Sequence, residues 1–295
     1  KSQGYLSKHE NDIPQKKKQF GSWVYPDSRL ELNNNQIIDL WKYSNKLKLD
    51  FIVSPWEENS VDFLKKNKAK VIKLASIDAN NFLFCEYIAR KKIPTIISTG
   101  MCTYNDILNT KKIFDEFNCP SMFLHCASSY PTDLKDKNLN CIKVLNDLLK
   151  TDIGFSGHGI GFEGTIGSII LGSRVIEKHV TLNKEMAGPD HAASLNFDEL
   201  KTLIRTSYRY LQTLGSNNKE FLLSETVLND VLGKRIYLNR SLKKGSIIEK
   251  NFLSTAVIKK NIGFKPNQVT SLLNKKVVKN LKKNHIIENK DIYFD

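Results

Sequence analysis

Three of the six histidines lie between Gly154 and Leu195, in the run GFSGHGIGFEGTIGSIILGSRVIEKHVTLNKEMAGPDHAASL. His158 and His179 each stand at the end of a short stretch that reads as a β-strand. If those strands are neighbours in a barrel, the two imidazoles meet. Neutral imidazoles suit a divalent transition metal such as Mn²⁺, with water and substrate oxygens completing the shell. Two unrelated core or rim histidines are the alternative. Glu177 shares a strand face with His179, because side chains alternate along a strand, so it could orient or pair with that histidine. His125 sits inside an apolar run and reads as a hydrogen-bonded structural residue. His9 and His285 are given no role.

Lys73 lies between Ile72 and Leu74 in another short strand. Burying a lysine is costly unless it meets an anion. It is an anion ligand, a Schiff-base nucleophile or one half of a structural ion pair. Ser76, Ser98 and Ser156 follow or end strands and could donate to phosphate or carboxylate oxygens, although serines also cap helices at such places. Asp78 and Asp190 are candidates for binding hydroxyls or handling protons. Asp190 belongs to a Gly188-Pro189-Asp190-His191 turn that would aim its side chain or merely be stabilised by it. Tyr130 and Trp56 join them at strand ends, and Cys126 falls inside the same suspected site, where the bland reading is a small buried side chain.

The elements that must position these residues alternate. The sequence predicts strands over 50–54, 71–75, 95–99, 122–126, 153–155 and 175–180, and helices from Asn34 or Asn35 to Lys46 and over 60–67, 82–91, 103–117, 139–149, 163–171 and 197–214. Strand–helix alternation with short apolar strands predicts a parallel sheet covered by helices. Trp56, Ser76, Asp78, Ser98, Tyr130, Ser156, His158 and His179 all fall at the C-terminal ends of strands, where barrel enzymes carry their chemistry. Six units are too few for a closed (β/α)8 barrel, so the sheet is open or the first two strands are largely absent. From Ser216 the pattern changes. Residues 216–230 read as a linker with some helix, and 231–295 as a small β-rich domain; residues 1–215 form the barrel domain.

Composition narrows the class. The formal charge is +14, and the segment from Ser224 holds 15 Lys and Arg against 6 Asp and Glu. A surplus of that size can serve nucleic acid or an anionic substrate. The lysine pairs of that segment alternate with Val, Ile and Leu and carry few stacking aromatics, which argues against a nucleic-acid groove. No run of about 18 apolar residues reads as a membrane span. The polar start lacks the apolar core of a signal peptide, and there is no initiator Met. Five cysteines without a CxxC pair favour reduced thiols and a cytoplasmic protein.

The pieces KLASIDANN, IPTIISTGM, FLHCASSYPT, GFSGHGIG, VIEKHVTL and GPDHAASL, taken in order, resemble the N-acetylneuraminate (sialic acid) synthase family. The resemblance covers nearly the whole chain. It implies a (β/α)8 TIM barrel followed by a small β-rich SAF (antifreeze-like) domain. It implies condensation of phosphoenolpyruvate with N-acetylmannosamine or its 6-phosphate, and a Mn²⁺ or Mg²⁺ ion on His158 and His179. Lys73, Ser76, Ser98 and Ser156 would hold phosphoenolpyruvate; Asp78, Asp190, Tyr130 and Trp56 would serve the chemistry and the sugar. Asp78 stands where many members carry Glu. The small domain would cap the barrel of the partner in a domain-swapped homodimer, with Lys259 or Lys260 where some members use Arg, and Lys260 is the better candidate. The family's first strand, with its Glu, would precede Lys1. Lys1-Ser2-Gln3 resembles the Lys-x-Gln that ends the second and contacts substrate. The barrel would therefore lack its first strand and most of its second. This expectation carries a consequence: little or no synthase activity for the chain as given, which normal phosphoenolpyruvate turnover would refute. A synthase of a related acid such as legionaminic acid, or a non-catalytic homologue, is the alternative.

Overall fold

The computed structural model describes residues 32–186, 190–258 and 262–293, which divide into two units at Gly215 and Ser216. In the first unit five parallel strands follow one another in sequence order: β1 (Ile72–Leu74), β2 (Thr95–Ser98), β3 (Ser121–Cys126), β4 (Gly154–Gly157) and β5 (Ile176–Lys178). Each is hydrogen-bonded to the next, so the connections between them are all crossovers. The helices are α1 (Asn34–Lys46), α2 (Glu58–Lys66), α3 (Phe82–Lys91), α4 (Tyr104–Glu116), α5 (Cys141–Leu149), α6 (Glu163–Ile170) and α7 (Phe197–Leu214).

Local chemistry accounts for the helix starts. Thr103 accepts from the Asp106 N–H while the Asp106 carboxylate accepts from the Thr103 N–H, a reciprocal cap that begins α4. Asn196 and Glu199 do the same for α7, and Asn33 with Gln36 for α1. That last cap corrects the expected one: Asn33, not Asn34 or Asn35, holds the cap position. The helix expected over 60–67 begins two residues earlier, at Glu58.

The sheet has two faces of different character. Ile72, Leu74, Ile97, Phe123 and Phe155 point outward into a core shared with Phe84, Ile88, Phe114, Ile142 and Leu145 of the helices. The residues between them, Lys73, Ser98, Cys126, Ser156 and Glu177, therefore share the inner face. Gly154 is the one position of β4 where no side chain fits on that face. A Cβ there would stand 2.3 Å from Leu124 Cδ2 and 2.6 Å from the Val175 carbonyl oxygen.

The expected strand over 50–54 is absent. The Val53 carbonyl accepts a single bond from the Lys73 N–H at 3.0 Å, and Pro55, with no N–H of its own, ends the approach before a ladder forms. Five strands, rather than six, make up the described sheet, which is an open half-barrel.

The second unit holds α8 (Thr226–Leu232) and an antiparallel pair, β6 (Lys234–Leu238) and β7 (Leu253–Val257). Isolated bridges at Leu242–Leu281, Ile247–Lys276 and Val277–Ile292 add to it without forming longer strands. Its core is its own: Ile236, Leu238, Ile248, Leu272, Val277, Leu281 and Ile287.

Candidate active site

Lys73 belongs to β1 and Glu177 to β5, the two edges of the sheet, yet Lys73 Nζ lies 3.2 Å from Glu177 Oε2. Four strand spacings in a flat sheet would separate those edges by roughly 19 Å. The pair therefore records the curl of the sheet into a half-barrel. Ser156 donates to Glu177 Oε1 at 2.7 Å, and Ser98 donates to the same oxygen at a longer 3.4 Å. Lys73 also donates to the Leu74 carbonyl at 3.0 Å. Of the three roles open to Lys73 in the sequence, the ion pair is the arrangement present. Its partner, Glu177, is a residue that sequence reasoning placed beside His179 but not at the centre of an anion-binding cluster. Strand alternation was the available signal.

A second line of contacts runs from β1 toward the imidazoles. Ser76 accepts from the Gly100 N–H at 3.1 Å and donates to Cys126 Sγ at 3.5 Å. Cys126 Sγ is 3.8 Å from His158 Nδ1, which donates to the Ala127 carbonyl at 3.2 Å. That bond fixes the proton on Nδ1 and leaves Nε2 as an acceptor. The His158 and His179 rings meet edge-on with centroids 5.2 Å apart, and the Tyr130 ring lies 4.2 Å from His158 and 6.1 Å from His179. Asp190 Oδ2 stands 3.8 Å from His179 Nδ1.

The electrostatics follow from burial. Desolvation holds both His158 and His179 below the usual histidine range, against the pull of the neighbouring carboxylates, so both rings are neutral near pH 7. Burial pushes the Tyr130 phenol up to about 12. The Asp190 Oδ1 atom is buried without a hydrogen-bond partner among the described residues. Two adjacent neutral imidazoles, one with Nε2 uncommitted, offer nitrogen donors of the kind that suits a borderline divalent ion. Among the described residues no group of three or more His, Cys, Asp or Glu side chains is close enough to hold one. Such an ion would thus take two protein nitrogens, with the other positions falling to water and substrate oxygens.

The structure brings together Lys73, Ser76, Ser98, Ser156, His158, His179, Tyr130 and Asp190. Asp78 is engaged elsewhere, its carboxylate accepting from the Asn81 amide at 3.0 Å in the turn before α3. Trp56 is half exposed just before α2. Lys1, Gln3 and Lys260 lie outside the described residues. His125 is structural, its Nε2 bonded to the Lys137 carbonyl at 2.8 Å.

The curled parallel sheet carries this lysine–carboxylate cluster and the paired imidazoles toward its C-terminal strand ends, where barrel enzymes carry their chemistry. The chain belongs to the NeuB family, whose model matches residues 2–219. It is 33% identical over 250 residues to N-acetylneuraminate-9-phosphate synthase of Homo sapiens, an alignment that covers 84% of this chain and 69% of that protein. It is 31% identical over 257 residues to N,N'-diacetyllegionaminic acid synthase of Legionella pneumophila, covering 85% of this chain and 72% of that one. Among solved structures, the N-acetylneuraminic acid (sialic acid) synthetase of Leptospira borgpetersenii superposes with a TM-score of 0.64 at 29% identity, over 67% of this chain and 70% of that chain. No helix of the described residues is long and apolar enough to cross a membrane.

Proposed function

We propose that this chain is a phosphoenolpyruvate-dependent synthase of a sialic-type acid, condensing phosphoenolpyruvate with N-acetylmannosamine or its 6-phosphate to give N-acetylneuraminate or its 9-phosphate, with release of phosphate. The observation that carries the reading is the convergence of Lys73, Ser98 and Ser156 on one carboxylate beside two neutral imidazoles. A substrate carboxylate or phosphate is the same kind of acceptor as the Glu177 carboxylate these donors already hold. A buried lysine exchanges one anion only for another.

In this reading Lys73, Ser98 and Ser156, with the Ser76 hydroxyl, bind and orient phosphoenolpyruvate. His158 and His179 would hold the divalent ion, and two nitrogen donors favour Mn²⁺ over Mg²⁺. When bound, the ion supplies Lewis-acid polarisation of the sugar's aldehyde oxygen. Carbon 3 of phosphoenolpyruvate then bonds to the aldehyde carbon, water adds at carbon 2, and phosphate departs. The neutral phenol of Tyr130 walls the sugar side of His158, and Asp190 handles a sugar hydroxyl or a proton beside His179. Asp78 and Trp56, and beyond the described residues Lys1, Gln3 and Lys260, complete the proposed substrate contacts. The proposal includes the SAF identity of the second unit, a cytoplasmic setting and a domain-swapped homodimer; a monomeric mass by light scattering would remove the dimer.

Binding tests the reading directly. Calorimetry should show phosphoenolpyruvate binding that Lys73→Met weakens about 10- to 100-fold, the loss of one or two charge-assisted bonds. Undiminished affinity in that variant would sink it. The relative from Legionella, nearly as similar as the human one, favours a second product, legionaminic acid. Mass spectrometry of the products formed from N-acetylmannosamine, its 6-phosphate and a diacetamido hexose separates the two.

A further inference from the structure

β5 has a second face. Arg174, Ile176 and Lys178 alternate with Glu177 and line a cavity of about 430 Å³ between α6, β5 and α7. That volume lies within the range of small-molecule sites. Ile169, Leu203, Ile204 and Leu211 form its apolar walls. The extended stretch that lines it carries a cation at either end, Arg174 and Lys178. At one end lies Lys178, which spends one of its three donors on the Gly159 carbonyl at 2.5 Å. Lys137, Lys184, Glu163 and Glu199 act on it, and Glu199 is taken by Lys184 at 2.6 Å, so the neighbourhood keeps a positive surplus. At the other end the Arg174 guanidinium has, among the described residues, a long contact to Asp152 at 4.0 Å. Ser173 lies beside it, 7% exposed, with a hydroxyl that has no hydrogen-bond partner among the described residues. A buried hydroxyl without a partner calls for an explanation, and an absent ligand is one. Four residues of extended chain separate Arg174 from Lys178 by roughly 13 Å.

We propose that this cavity is a second ligand site, which takes an elongated apolar molecule bearing a carboxylate at each end, one received by Lys178 and the other by Arg174 and Ser173. The strand that forms its floor carries Glu177 on the opposite face, so the two sites share β5.

Decanedioate is the probe, titrated calorimetrically into the whole chain. It should bind, decanoate at least about fivefold more weakly for want of one charge, and butanedioate, which has the charges without the spine, not measurably up to about 10 mM. Ile204→Glu, which places a carboxylate on an exposed wall residue, should weaken decanedioate at least about tenfold. Lys178→Met and Arg174→Met should each erase the advantage of the diacid over decanoate. Arg174 and Ile204 are half exposed or more, so those two variants keep the test valid if Lys178→Met does not fold. The proposal fails if decanedioate does not bind, as when another part of the chain fills the cavity. It fails equally if decanoate matches decanedioate, or if Ile204→Glu leaves binding unchanged.

Discussion

In the first unit Lys73, Ser98 and Ser156 gather on Glu177, whose side chain is 36% exposed. In the second unit Lys279, His285 and the Glu288 N–H gather on Asp291, which is 0% exposed. The donor types are alike, a lysine with further hydrogen-bond donors, but the settings differ. Lys279 Nζ is 2.8 Å from Asp291 Oδ1, while His285 Nε2 at 2.7 Å and the Glu288 N–H at 3.0 Å take Oδ2. Burial alone would raise the Asp291 carboxyl, yet these bonds outweigh it and hold it below the usual carboxylate range. The Asp291 carboxylate itself is wholly buried, and it ties the C-terminal turn to the rest of its unit. The Glu177 cluster is open to solvent and one of its bonds is long. Buried, closely held carboxylates hold a fold together; open, loosely held ones mark places where a partner can be exchanged.

The largest way to break this contrast is Asp291→Ala. It strips His285 and the Glu288 N–H of their acceptor and Lys279 of its counter-charge, and losing these bonds to a buried carboxylate costs about 2–4 kcal/mol. Hydrogen exchange should report that loss across the amides of the second unit and spare the first. Glu177→Gln should do less, about 1–2 kcal/mol: it leaves the buried Lys73 without its anion, but solvent reaches the Glu177 side of the pair and the amide oxygen still accepts a hydrogen bond. The same variant should bind phosphoenolpyruvate as well as the parent or up to about tenfold better, since a competing anion is gone. If Glu177→Gln destabilises its unit as much as Asp291→Ala does its own, the distinction between the two clusters is lost.

The smallest effects lie in the pH dependence. Asp291 is a depressed acid, so its stabilisation is present above the unfolded value of about 3.9 and is lost as pH falls through the lower folded value. The second unit should hold until about pH 4 and weaken below it, and Asp291→Asn should remove that limb. His158 and His179 are depressed bases. They favour the folded state while neutral, and their cost begins as pH falls below the unfolded value of about 6.5. The first unit should therefore begin to lose stability at a higher pH than the second. His158→Gln with His179→Gln should flatten that slope, and an unchanged slope would show that other groups set it.

Much of the fold was legible along the chain. The helices over 82–91 and 197–214 fall where apolar spacing put them, and caps such as Thr103 with Asp106 act within four residues, a range that sequence displays directly. The strand over 50–54 was misread because its apolar run looks like a strand whatever lies beside it. Whether a ladder forms depends on a neighbour's register and on Pro55. Of the site, the residue types at strand ends were visible, while the central place of Glu177, the engagement of Asp78 by Asn81 and the cavity beneath β5 were not.

What short-range pattern decided was which residues could stand on a strand's inner face, since alternation along a strand admits only two sides. Which of them touch was settled by the curl of five strands. That curl brings Lys73 from one edge to Glu177 on the other and sets two imidazoles edge to edge. Twist accumulates over the whole sheet, so no local stretch of sequence contains it.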